Sequence, residues 1–203
     1  MNDHHPTWCL FDFGGVLAEE GFTNGLIAIA QNHGLPPNNF VRMVTEIIYD
    51  CGYVTGKATE TEFWNEVRKA FTISDNDRNL TNEIHSRFIL RPAMMTRIKA
   101  LKTMGVQTAI LSDQTDWLEQ LDRRDHFLHK FDPVLNSYHL GMTKRDPAIF
   151  LRAAKILAAP PATILFIDDN TGHIERAAAQ GLQTHHFTDE TTFFKDLALR
   201  GLT

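Results

Sequence analysis

Residues 8–17 read WCLFDFGGVL, and the fold turns on how this stretch is understood. Apolar and aromatic side chains lead into Asp12, and Gly14-Gly15 follow at once. The run therefore predicts a buried strand ending in a tight turn that presents a carboxylate. Asp often does no more than start a turn. In an open parallel sheet, however, ligands sit outside the carboxyl ends of the strands, which makes an acid at that place a candidate nucleophile or metal ligand. Far downstream, residues 166–170 (FIDDN) repeat the pattern of an apolar strand running into carboxylates.

After Leu17 the period becomes helical. Residues 22–33 predict a helix with Thr23 at its N-cap and Gly34 as its stop, and Pro36-Pro37 open a second that runs to about Asp50. Gly52 and Gly56 break the pattern. Thr59-Glu60-Thr61-Glu62 before Phe63-Trp64 has the capping-box arrangement, which predicts a third helix to about Phe71. Phe63 and Trp64 are expected in the core of this region, although an aromatic there can also wall a ligand pocket. A fourth helix near residues 78–89 repeats Leu80, Ile84 and Phe88 every four residues. Residues 18–91 thus form a helical block without a strand, as a small bundle inserted into another unit would.

Beyond that block, helix and strand alternate. Helices are predicted at 92–104, 117–124, 147–157, 174–180 and 192–200, and strands at 106–111, 133–136, 163–167 and 183–187. Alternation of this kind implies right-handed crossovers. The expected class is α/β: a Rossmann-like parallel sheet flanked by helices, with residues 1–17 and 92–203 as the core and 18–91 as the inserted bundle.

Composition bounds the function. The chain has 203 residues, 43% apolar and 22% charged, enough to bury a full core and too apolar for disorder. A formal charge of -5 and the lack of a long basic run disfavour nucleic acid as a partner. The opening MNDHHPTW lacks the basic and apolar regions of a signal peptide, and no apolar stretch is long enough for a bilayer, so a cytoplasmic protein without a membrane partner is expected. Cys9 and Cys51 have no CxxC spacing, so neither a zinc site nor a redox pair is indicated. The ten histidines are scattered, with His185-His186 in a short strand.

Four polar clusters each follow a predicted strand: Asp12, Ser112-Asp113, Lys144-Arg145 and Asp168-Asp169-Asn170. A parallel sheet would bring them to one edge. Carboxylates that close repel unless a cation lies between them or their pKa values rise. Oxygen ligands suit a hard ion, and Mg2+ leaves room for a phosphate oxygen. A serine hydroxyl, backbone amides around Gly14-Gly15 and a lysine ammonium are the donors that phosphoryl transfer demands. Taken singly, Lys144 reads as a solvated lysine, and Ser112, Asp168 or Asp169 as helix caps.

Taken together and in order, FDFGGVL (11–17), ILSD (110–113), GMTKRDPAIF (141–150) and FIDDN (166–170) resemble the four motifs of the haloacid dehalogenase-like superfamily. The helical block resembles the four-helix cap that one subgroup inserts after the first motif, and GKATETEFW (56–64) is similar to a stretch found inside it. Sugar phosphatases and the N-terminal phosphatase of epoxide hydrolases are of this kind. The resemblance implies a Mg2+-dependent phosphomonoesterase acting on a small phosphorylated metabolite, as a monomer or weak homodimer. Asp12 would attack phosphorus, and water would hydrolyse the aspartyl-phosphate. Mg2+ would be held by Asp12, the backbone carbonyl of Gly14 and Asp169, with Asp168 behind them orienting a water on the metal. Ser112, Gly15 and the backbone of Asp113 would bind the phosphoryl oxygens, and Lys144 would neutralise charge on nucleophile and phosphate.

The chain departs from the family pattern in three places. Gly14 stands where phosphatases of the family commonly carry a second Asp as general acid to the leaving group, a role worth about 10^2 to 10^4-fold. Asp113 stands where Asn is more usual, and His173 where Asn or Asp is usual. Asp113, His173, Glu19 and Glu20 are the candidates to supply the missing proton. Two other functions fit the same motifs. One is a metal-independent 2-haloacid dehalogenase, which also lacks the second acid, although the FIDDN carboxylates would repel a carboxylate substrate. The other is a non-catalytic relative that binds a phosphorylated ligand or a protein partner.

Overall fold

The computed structural model describes residues 5–202; the first four residues, the start of the MNDHHPTW stretch, and Thr203 lie outside the described residues. Five strands, β1 (Trp8–Phe11), β2 (Gln107–Ser112), β3 (Val134–Asn136), β4 (Ile164–Asp168) and β5 (Gln183–His186), form one sheet of order β3-β2-β1-β4-β5. Every pairing is parallel. The stretch that opens the chain is therefore the central strand. Its side chains alternate between two apolar clusters: Cys9 and Phe11 face one, Leu10 the other. In β4, Leu165 and Ile167 face the first and Ile164 and Phe166 the second. A strand covered on both faces must be apolar at every position, which explains the uninterrupted apolar runs. Burial pushes the Cys9 thiol up to about 12, so it is inert.

Between β1 and β2 the chain makes α1 (Gly21–Asn32), α2 (Pro37–Asp50), α3 (Glu60–Ala70), α4 (Asp77–Arg87) and α5 (Pro92–Thr103). After β2 come α6 (Trp117–Asp125), α7 (Ser137–Leu140), α8 (Ala148–Ile156), α9 (Thr171–Ala179) and α10 (Glu190–Leu199). Buried residues of α5, α6 and α10 join the first cluster, and those of α8 and α9 the second, so helices cover both faces of the sheet. No helix among the described residues is long and apolar enough to cross a membrane.

The element ends show where local signals compete. Glu20, not Thr23, caps α1: its carboxylate accepts from the Thr23 amide at 2.8 Å, which places Thr23 inside the first turn. The capping box of Thr59 and Glu62 on α3 forms as expected. Helices α9 and α10 begin earlier than their apolar period suggests, because Asn170 and Asp189 cap them. The four-residue α7 was not expected; Asn136 caps it and Gly141, in the left-handed region, stops it. Four residues are too few to carry a helical period.

Helices α1 to α4 share the apolar cluster of the first sheet face, with α1 against α2 and α4. The chain leaves and re-enters the sheet region side by side: Glu19 N–H donates to Ile89 O and Arg91 N–H to Leu17 O, both at 2.9 Å. Phe63 and Trp64 are fully buried, as expected. They meet Trp117 of α6, whose ring lies 5.6–6.4 Å from those of Phe22, Tyr53, Phe63 and Trp64. Its indole N–H donates to Glu60 at 2.6 Å. Because Trp117 joins α6 to three helical turns at once, Trp117→Ala is expected to lower unfolding free energy by about 3–5 kcal/mol, read by chemical denaturation. A loss below about 1 kcal/mol would show that this aromatic cluster does not tie the two regions together.

Candidate active site

Asp12 leaves the sheet with its amide still donating to Ile167 O at 2.9 Å, so the carboxylate is fixed between the ends of β2 and β4. Its Oδ1 accepts from the Phe13 amide and the Ser112 hydroxyl, each at 2.7 Å. Ser112 is thus turned to Asp12 and does not cap the following helix. The Lys144 ammonium lies 2.8 Å from Asp12 Oδ2 and 2.6 Å from Asp168 Oδ2. With only 1% of its side chain exposed, Lys144 is no solvated lysine. Its backbone is clamped as well: Asp113 accepts from its amide, and Arg176 Nε–H donates to its carbonyl at 2.8 Å.

Asp168 is buried and saturated. Besides Lys144 it accepts from the Asn170 amide at 2.8 Å and faces His173 Nδ1 at 3.1 Å. Asp169, the next residue, is exposed on the cavity side and makes no such bond among the described residues. Asp12, Asp168 and Asp169 each offer an oxygen, all within 4.8 Å of one another. A Cβ on Gly15 would stand 2.1 Å from Asp169 Oδ2, and Gly15 has a φ of 77°, so only glycine lets this carboxylate settle against the turn.

Charge in the cluster is out of balance. Burial raises the Asp12 pKa to about 6, with Asp168 adding to it and Lys144 and Ser112 opposing. Enclosure, then the charges of Asp12, Asp168 and Glu20, push Asp169 up to about 7. Burial also works against charge on Lys144 and on Asp168, but their mutual attraction wins: Lys144 is held above the usual lysine range and Asp168 below the usual carboxylate range. An acidic oxygen set with one unneutralised carboxylate open to the cavity fits a hard divalent cation.

The remaining candidates separate. Asp113 lines the cavity, but its carboxylate holds the Lys144 amide and accepts from Tyr49 OH at 3.0 Å. Arg145 turns away to Glu46, at 2.9 and 3.0 Å, with its guanidinium over the Tyr49 ring. Glu19 pairs with Arg91 at 2.9 Å. Glu20 faces the cavity, and its Oε2 lies 3.2 Å from where a residue-14 Cβ would be. Sequence reasoning missed Tyr49 and Arg176, which lie on ordinary amphipathic helices and carry no motif. Trp117 was legible only as a helix start.

A family model described as haloacid dehalogenase-like hydrolase matches residues 7–181. The chain belongs to this family. Among curated relatives of this HAD-like chain, mouse acyl-CoA dehydrogenase family member 10 is 27% identical over 93% of the chain but 18% of that protein. Rat bifunctional epoxide hydrolase 2 is 29% identical over 55% of the chain and 21% of that protein. The chain thus spans about a fifth of the length of these relatives. A HAD family enzyme from Bacteroides thetaiotaomicron, solved with magnesium and inorganic phosphate, superimposes with a TM-score of 0.71 at 20% identity, covering 93% of this chain and 99% of that one. L-2-haloacid dehalogenase from Xanthobacter autotrophicus, with chloropropionic acid covalently bound, gives a TM-score of 0.67 at 14% identity over 98% and 84% of the two chains. The HAD-like hydrolase fold is therefore common to metal-bound and dehalogenase neighbours.

The carboxylate balance has a measurable consequence. Asp12 and Asp169 hold protons more tightly in the folded metal-free state than in the unfolded chain, so their stabilising contribution is complete below about pH 4. It is lost as pH rises through about 6 and about 7. In EDTA, Tm should fall between pH 5 and pH 8, and a divalent cation should raise Tm more at pH 8 than at pH 5. Equal shifts at both pH values would disconnect these carboxylates from cation binding.

Proposed function

We propose that this HAD-like hydrolase is a Mg2+-dependent phosphomonoesterase with Asp12 as nucleophile. The observation that carries the reading is the arrangement around Asp12: both of its oxygens are held by donors, from Ser112, the Phe13 amide and Lys144, while Asp169 stands open beside it on the same cavity. Asp12, the Gly14 carbonyl and Asp169 would hold Mg2+, with Asp168 behind them keeping Lys144 in place. When bound, the ion supplies positive charge to the ligand carboxylates and the phosphoryl oxygens. Ser112, the Asp113 backbone, Gly15 and Lys144 are the groups to receive those oxygens. An Asp12 oxygen forms a bond to phosphorus as the ester P–O bond breaks and the alcohol departs. Water then attacks the phosphorus of the acyl phosphate, releasing phosphate and restoring Asp12.

Of the four residues weighed as proton source for the departing alcohol, Asp113, His173 and Glu19 are committed to Lys144, Asp168 and Arg91. Glu20 lines the same cavity as Asp113 and His173; its Oε1 accepts from the Thr23 amide, and its Oε2 lies on the side where a residue-14 side chain would project. We assign residues 18–91 to a cap and residues 1–17 and 92–203 to the core, with the paired backbones at Ala18 and Leu90 as the joint. The Mg2+ and phosphate in the Bacteroides neighbour support a small phosphorylated substrate. The dehalogenase reading is weaker, because a 2-haloacid carboxylate would meet Asp169 and Glu20 in the cavity.

Asp12→Asn should reduce turnover of p-nitrophenyl phosphate by on the order of 10^3-fold or more while leaving the far-UV circular dichroism unchanged. EDTA should silence the wild type and Mg2+ restore it. Chloride release from 2-chloropropionate in EDTA, with no phosphate ester hydrolysed, would give the function to the dehalogenase chemistry instead.

A further inference from the structure

The cavity above Asp12 is about 310 Å³, at the small end of the ligand pockets that proteins use. At its floor lie Asp12, Lys144 and Asp169. Its far wall comes from the helical block. Thr45, Ile48 and Tyr49, spaced by three and four residues, present one face of α2, and Phe22 and Thr23 present the start of α1. None of these wall residues is charged.

The charge that does line the cavity is mainly negative. Lys144 is the sole lysine or arginine among the described lining residues, and both nearby carboxylates already engage it. The next cation in the chain, Arg145, is drawn out of the cavity by Glu46 and by the Tyr49 ring, 3.6 Å from its guanidinium carbon. His173 turns Nδ1 to Asp168, 3.1 Å away. Glu20, Asp113 and Asp169 add three carboxyl groups. A transferring phosphoryl group can be balanced at the floor by Lys144 and a cation. A second anion further out would meet carboxylates and neutral walls.

We propose that the site selects monophosphate esters of compact, uncharged alcohols and rejects those whose alcohol carries a second anionic group. The inference rests on the phosphatase reading above and narrows it to a substrate class. Specificity here is set by repulsion as much as by contact: an anion near fixed carboxylates in a partly enclosed site is disfavoured whatever its shape. Thr23, Thr45 and Gln114 offer hydrogen-bonding groups without charge, suited to hydroxyls on the accepted alcohol.

Matched pairs test the idea. Glycerol 3-phosphate differs from 3-phosphoglycerate, and glucose 6-phosphate from 6-phosphogluconate, by an uncharged group against a carboxylate. Each compound is measured with Mg2+ both as substrate and as competitor of p-nitrophenyl phosphate, so that a compound that binds without turnover still reports. In each pair the uncharged member should be favoured by about 100-fold or more in kcat/KM or in inhibition constant. Thr45→Lys, or Thr23→Lys on the other wall should the first fail to fold, places a cation in the cavity and should narrow that ratio at least about 10-fold. Equal preference within both pairs, or a ratio unmoved by both lysine variants, would overturn the charge selection and leave the phosphatase reading standing. Loss of Mg2+-dependent p-nitrophenyl phosphate hydrolysis in the wild type would remove both.

Discussion

A buried ammonium needs carboxylates, and the site is arranged around that need. Lys144 is closed off from solvent between Asp12 and Asp168, which come from the ends of two adjacent strands. Uncompensated, a charge at that depth would be untenable, and removing either partner from such a set is typically costly. The pairing therefore specifies position. The loop that carries Lys144 must reach across the ends of β1 and β4, and its backbone is fastened there by Asp113 on one side and Arg176 on the other. In the proposed reaction, a phosphoryl group arriving at Asp12 would find its main donor already in place, which would leave little reorganisation for the chemical step.

One ammonium does not balance the set. Asp168 takes its share of Lys144 and is saturated, whereas Asp169 and Asp12 are left with raised proton affinity. The same surplus of negative charge that invites a divalent cation at the floor of the cavity makes the cavity inhospitable to further anions above it. On the proposed reading, cation binding and substrate choice would have one electrostatic origin.

The helical block is joined to this site through polar contacts as well as apolar ones. Tyr49 reaches Asp113, Tyr53 reaches Asp116 at 2.5 Å, and Trp117 reaches Glu60. Arg145, adjacent to Lys144, binds α2 through Glu46 and Tyr49. Any displacement of α2 therefore bears on the loop that holds Lys144. On the proposed reading, pocket walls that come from this block and a floor that comes from the sheet edge would divide the work between specificity and chemistry.

Much of this was legible in residue order. Strands buried on both faces have to be apolar throughout, so β1, β2 and β4 announce themselves, and carboxylates placed directly after such runs have to emerge at one sheet edge. The parallel α/β class and the meeting of Asp12, Asp168 and Asp169 follow from that, the helical block from its own period and capping signals, and Ser112 and Lys144 from the order of the polar clusters along the chain. What residue order left open was decided by three-dimensional approach. Asp113 binds a backbone amide and a tyrosine 64 residues away, Arg145 leaves the site, Glu20 enters it and displaces Thr23 as the cap of α1. These outcomes depend on side-chain direction and on distances between segments remote in sequence, and local periodicity carries information about neither.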